Sequence, residues 1–351
     1  MKKYNYIKSL QKLIKKFQEK KCMHYDHDTC NGVIIRSHTI QKKRALKEIE
    51  GPEGHVWGFV PNMNLDLSKG ALILDKIGIN EASTFYGFCK FHDNDLFHVI
   101  DDFDFIPTDK QVFMLTYRTI AHEVYKKIAS NNASPISNEI VDETNNIFKE
   151  IMKGDLNAMN FGTSIGVFYS LIEMNKMYNS LKRKDFSKIC YLVIKTKNFS
   201  NVMTSGVITP EYDYAENLIN EFNHTFNWIS LNIFTDDKNG LIVFSWLKNP
   251  KSEQFVNSLI QQNDFMNKIV EIAFRHIENT YFSKEWWDSL KTVIRNRINE
   301  MVQDWTHYER KGFGYKYNGI RKNNLHYQDL EIDKIITNSN ILQTTINSIN
   351  L

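Results

Sequence analysis

Apolar positions at Ile7, Leu10, Leu13, Ile14 and Phe17 recur at the helical period while lysines fill the opposite side, which predicts an amphipathic helix over residues 4–21. From residue 21 to about 108 the pattern turns irregular, with Cys, His, Gly and short apolar runs, as in a small unit built around a metal rather than a large core. Helical periodicity returns over 109–129 and again over 138–152, with Pro135 expected to separate these stretches. Residues 161–182 continue it through Phe168, Leu171, Ile172 and Met174. The period then changes. Residues 189–194 are β-branched and aromatic, 202–208 alternate loosely, and 228–234 and 241–247 flank Asp236-Asp237-Lys238-Asn239-Gly240. That last pair reads as a hairpin in which Asn-Gly supplies the positive φ of a tight turn. Helical spacing resumes over 252–302, with Ser283 as an N-cap before Lys-Glu-Trp-Trp. Beyond Asp304 the chain is rich in Asn, Tyr and Lys, the composition of a partly disordered tail.

With 351 residues, 42% apolar and 13% aromatic, the chain can bury two or three cores, which excludes a disordered or collagenous protein. No apolar run approaches the roughly 18 residues of a membrane helix, so no membrane partner is expected. The net charge of +3 hides an asymmetry. Residues 1–47 hold 13 Lys or Arg against Glu19, Asp26 and Asp28, a net +10; the rest, with 31 basic and 38 acidic residues, sums to −7. A basic end on an acidic body suits a polyanion, although a solvated helix face accounts for the charge equally well. No signal peptide is readable, and the expected location is the cytoplasm, where cysteines stay reduced and favour metal over cross-links.

Three of the four cysteines lie in the irregular region, at Cys22, Cys30 and Cys89, and His92 follows the last by three residues. Cys89-Lys-Phe-His92 has the spacing by which two side chains grip one metal from a helix start, and Cys22 and Cys30 complete a Cys3His set for structural Zn2+. His24 and His27, inside the Cys-x7-Cys loop, stay open as other ligands. Between the two halves runs Val33-Ile34-Ile35-Arg36-Ser37-His38, a strand delivering one histidine, followed at Lys42-Lys43-Arg44 by basic residues. An imidazole titrating near neutrality suits a general base toward a phosphodiester. Asp93, Asp95, Asp101, Asp102 and Asp104 offer hard oxygens for Mg2+ or Mn2+. Residues 310–322 interleave five basic residues with three aromatics, a composition suited to single strands or to a soluble tail. No Walker loop and no Gly-x-Ser-x-Gly is present, so P-loop hydrolysis and serine-hydrolase chemistry have no support.

Two zinc ligands, a histidine-bearing strand, a loop and then Phe88-Cys89-Lys90-Phe91-His92-Asp93 at a helix start resemble the treble-clef HNH endonucleases, the ββα-metal fold. Residues 35–42, Gly54-His55-Val56 and 82–97 resemble more closely a set of bacterial HNH-like proteins associated with phage defence. The resemblance covers residues 20 to about 105. It implies Cys22, Cys30, Cys89 and His92 as zinc ligands, His38 as general base and Asp93 as a ligand to a catalytic Mg2+ or Mn2+, with Ser37 standing where the family has Asp or His. Arg36, Lys42, Lys43 and Arg44 would hold the nucleic-acid backbone. The expected fold class is α+β: a small zinc-bound treble-clef module followed by helical and β-rich segments. The expected division is 1–108 basic helix and module, 109–182 helical, 183–250 β-rich, 251–303 helical and 304–351 tail. The expected function is metal-dependent cleavage of DNA or RNA, with residues 109–351 left to sense a trigger, bind a partner protein or form a homo-oligomer. The alternative is a catalytically degenerate, zinc-stabilised nucleic-acid-binding or sensor protein.

Overall fold

A computed structural model of the chain describes residues 16–61, 72–142, 149–221, 226–303 and 326–348. Most of the expected N-terminal helix and the basic, aromatic segment 310–322 lie outside these. The architecture is α+β, with two antiparallel sheets. Strands β1 (Ile34–His38) and β4 (Thr84–Cys89) form a two-stranded ribbon. The larger sheet has eight strands in the order β10-β5-β8-β7-β6-β9-β2-β3, where β2 is His55–Pro61, β3 Leu72–Gly78, β5 Ile189–Thr196, β6 Val202–Ile208, β7 Ile229–Thr235, β8 Gly240–Leu247, β9 Thr280–Phe282 and β10 Ile332–Thr337.

The central strands are buried on both faces, which explains their continuous apolar runs. One face, through Tyr191, Val193, Leu241 and Val243, shares a core with helix α1 (Lys90–Asp101), helix α2 (Asp109–Asp142) and helix α3 (Lys149–Arg183). The other, through Leu192, Ile194, Ile242, Phe244 and Trp246, packs on α4 (Pro250–Ile260), α5 (Phe265–His276) and, through Leu342, α8 (Asn340–Ser348). Helices α6 (Lys284–Ser289) and α7 (Thr292–Gln303) build a further core around Phe282, Trp286 and Trp287. Ser283 caps α6 as expected, its hydroxyl accepting from the Trp286 N–H at 3.2 Å.

Four features depart from the local pattern. Helix α2 runs on past Pro135, so the proline does not break the helix; one missing backbone hydrogen bond is tolerated in a long helix paired along its length with α3. The hairpin β2-β3, read as belonging to the N-terminal module, extends the large sheet through β9, with Trp57 opposite Phe282 and Gly58 opposite Tyr281. Within the expected tail, residues 326–348 are folded: β10 pairs antiparallel with β5, and α8 packs on α4. The β7-β8 hairpin forms as expected, but its four-residue loop is closed by the Asp236 carboxylate, which accepts from the N–H groups of Lys238 (2.8 Å) and Asn239 (2.7 Å). Gly240 is required for close approach instead of a positive φ, since a Cβ there would lie 2.3 Å from Thr196 Oγ1 and 2.7 Å from the Asn198 carbonyl.

Candidate metal centre and adjoining polar cluster

The four residues Cys22, Cys30, Cys89 and His92 converge, their ligand atoms all within 4.8 Å of one another. Each is held by local structure. The segment carrying Cys22 runs beside β4, with Lys21 N–H donating to the Tyr86 carbonyl and Met23 N–H to that of Gly87 (2.7 Å). Cys30 ends a turn closed by its own N–H on the His27 carbonyl. Cys89 is the last residue of β4 and the N-cap of α1, its thiol accepting from the His92 N–H, which puts His92 in the first helical turn. A bulge in β4, with Ile35 opposite Phe88 but Ser37 opposite Phe85, sets the register that brings these ends together.

His92 Nδ1 lies 3.4, 3.5 and 3.3 Å from the sulfurs of Cys22, Cys30 and Cys89. In a tetrahedron with metal–sulfur bonds of about 2.3 Å and a metal–nitrogen bond of about 2.0–2.1 Å, sulfur–nitrogen edges are about 3.5 Å. The group therefore has the dimensions of a Cys3His metal site. His92 Nε2 is 2.9 Å from Thr29 Oγ1, which donates to Asp26 Oδ2 at 3.0 Å, an outer chain that leaves Nδ1 as the ligand atom. Burial pushes the Cys22 and Cys30 thiols up, Cys30 to about 12. A cation among the sulfurs reverses that preference, because a coordinated thiol is deprotonated. His24 is not one of the group: its ring packs 4.1 Å from that of His92, and its Nδ1 lies 3.4 Å from the Tyr117 hydroxyl. His27 is exposed.

Beside this group lies a second cluster. His38 ends β1, opposite Thr84, and Asp93 follows His92 on α1. Ser37 Oγ, His38 Nε2, Asp93 Oδ1 and Arg118 Nε are all enclosed and, among the described residues, none has a partner in good hydrogen-bond geometry, although the Ser37 hydroxyl lies close enough to act on the Asp93 carboxyl. Burial, reinforced by the positive charges of Arg118 and Lys42, pushes the His38 imidazole down to about 4, so it is neutral at physiological pH. Burial raises the Asp93 carboxyl, opposed by the nearby Ser37 hydroxyl and Arg118 guanidinium. The side chain of Arg118, 5% exposed, reaches from α2 over the Phe97 ring, and its Nη1 lies 3.0 and 2.9 Å from the two Asp101 oxygens. Gln41 Nε2 donates to Asp101 Oδ1 at 2.8 Å. His38 and Asp93 thus share the field of one Arg118–Asp101 pair.

The expected backbone-binding residues are mostly engaged within the protein. Arg36 donates to the Tyr86 hydroxyl and the Asn80 carbonyl, Lys42 bonds Asn80, and Arg44 donates to the Phe103 carbonyl and pairs with Asp237. Lys43 is exposed. The acidic run does not gather as one ligand set, since Asp101 is taken by Arg118 and Asp104 by Lys238. Arg118 carries no local signal of this role, since its partner Asp101 lies seventeen residues upstream on another helix. Among the described residues no helix is long and apolar enough to cross a membrane. Comparison with protein-family models, curated proteins and solved structures finds no match to the chain.

Proposed function

We propose that the protein is a metal-dependent endonuclease of the HNH type, cleaving phosphodiester bonds of DNA or RNA and serving bacterial anti-phage defence. The observation that carries this reading is the set of enclosed, unpartnered polar atoms on Ser37, His38, Asp93 and Arg118, next to a Cys3His group. Native proteins leave few such atoms unpaired, and shifted titrations gathered with them mark functional sites. The donor set of three thiols and one imidazole suits structural zinc, and the ribbon-then-helix order of β1, β4 and α1 around it supports a treble-clef module. A neutral His38 is in the form that accepts a proton from an attacking water. Asp93 would hold Mg2+ or Mn2+, which when bound stabilises developing negative charge. Arg118 adds a fixed positive charge to the same cluster, and Lys43 is free to meet a phosphate.

The enclosure of His38 Nε2, together with the internal partners of Arg36, Lys42 and Arg44, favours a second reading: a degenerate, zinc-stabilised nucleic-acid-binding or sensor protein. Cleavage of plasmid and RNA by the full chain with Mg2+ or Mn2+ decides between them. His38→Ala should slow cleavage by about 100-fold or more. Cleavage at the unaltered rate removes His38 as the base, and binding without cleavage by the unaltered protein selects the second reading.

A further inference from the structure

We propose that a cleft at one end of the large sheet binds a nucleoside phosphate, at a site sharing no residue with the Cys3His group or the polar cluster. The cleft has a volume of about 400 Å3 and lies between the last turns of α3, the start of β5, the start of β7 and the end of β8. Small-molecule sites span about 300–1,000 Å3, so it is large enough for a nucleotide but not a groove for a duplex.

Its charges are unevenly spent. The Glu173 carboxylate is paired with Lys176 at 2.8 Å, and that of Asp185, which accepts from the N–H (3.0 Å) and hydroxyl (2.6 Å) of Ser187, also lies in the field of Lys188 and Arg183 without forming a close ion pair with either. Arg183, Lys188 and Lys248 line the same cleft, are exposed, and make no ion pair among the described residues. The Lys248 N–H donates to the Lys188 carbonyl at 2.8 Å, so two of these cations leave adjoining strands side by side. Three cations without a salt-bridge partner around one concavity recognise a multiply charged anion such as a phosphate ester.

The apolar wall specifies what the anion is attached to. Phe226, its ring centroid 4.9 Å from that of Tyr169, and Trp228 line the cleft beside Leu247. Trp228 is 4% exposed and its indole N–H is enclosed, with no acceptor among the described residues, so the half-buried Phe226 and Leu247 offer a ring ligand its apolar surface. Phosphate and ring together describe a nucleotide, either free or as the 5′-phosphorylated end of a strand.

Calorimetric titration of the full chain with AMP tests this. AMP should bind, adenosine should bind at least tenfold more weakly, and the exposed double substitution Arg183→Ala with Lys248→Ala should weaken AMP about tenfold or more. Phe226→Ala removes the half-buried ring that lines the cleft and should weaken AMP severalfold without affecting binding of inorganic phosphate. A 5′-phosphorylated trinucleotide that binds more tightly than AMP, with the same sensitivity to the double substitution, assigns the site to a strand end; the reverse order assigns it to free nucleotide. Absence of AMP binding up to about 1 mM, equal binding of adenosine, or binding indifferent to the double substitution overturns the proposal. Because the assay needs no cleavage, its result is independent of whether the polar cluster is a nuclease.

Discussion

Replacing Arg118 with methionine keeps most of the side-chain volume while removing the guanidinium that holds Asp101 and whose charge acts on His38. Arg118 is 5% exposed and its partner 32%, so the pair is buried on one side only. Breaking a fully buried pair costs about 3–5 kcal/mol, and solvent reaching Asp101 reduces this to about 2 kcal/mol. The same change acts on His38, whose imidazole is pushed down to about 4 first by burial and then by Arg118. Without the guanidinium, and with Asp101 left as a nearby anion, His38 should titrate higher while remaining below the free value, because burial persists. Urea unfolding at pH 7.5 reads the first effect and imidazole NMR titration the second. A stability loss below about 0.5 kcal/mol together with an unmoved His38 would show that Arg118 does not organise this cluster.

Two further substitutions probe the frame and the metal group. The His122 imidazole is pushed down to about 3 by burial and by Lys126. Above about pH 6.5 neither state protonates it; as the pH falls from there towards 3 only the unfolded chain does, so stability drops by up to about 1.4 kcal/mol per pH unit. His122→Phe should flatten the acid limb of a stability–pH curve by up to one proton, and an unchanged slope contradicts the assignment. Thr29→Val removes the hydroxyl that meets His92 Nε2 and should weaken zinc retention about 10- to 100-fold in a chelator competition, with equal retention arguing against the Asp26–Thr29–His92 chain.

Residues whose chemistry is narrow were the most legible in the sequence. Cysteines beside a histidine in a core-poor segment have few uses, and Cys22, Cys30, Cys89 and His92 do converge although seventy residues separate the first from the last. Period and turn composition located the β7-β8 hairpin, while the role of Gly240 was misread because the close strand to which it yields, at Thr196 and Asn198, is distant in sequence. The attachment of β2 and β3 to β9 was not readable, since strand partners more than two hundred residues apart leave no trace in local periodicity. Polar composition hid β10 and α8, whose stability comes from packing on β5 and α4 more than from their own propensity. The Arg118–Asp101 pair was hidden for a related reason: each residue is an ordinary charge on a helix until α1 and α2 meet.

The Cys3His group is the point on which the placement of His38 and Asp93 depends, so the decisive measurement is zinc content with X-ray absorption at the zinc edge on freshly purified full-length protein. One zinc per chain is expected, with three sulfurs at about 2.3 Å and one nitrogen at about 2.0 Å, and loss of that shell in Cys89→Ser. Substoichiometric zinc, or a shell of oxygens unchanged by Cys89→Ser, would contradict it.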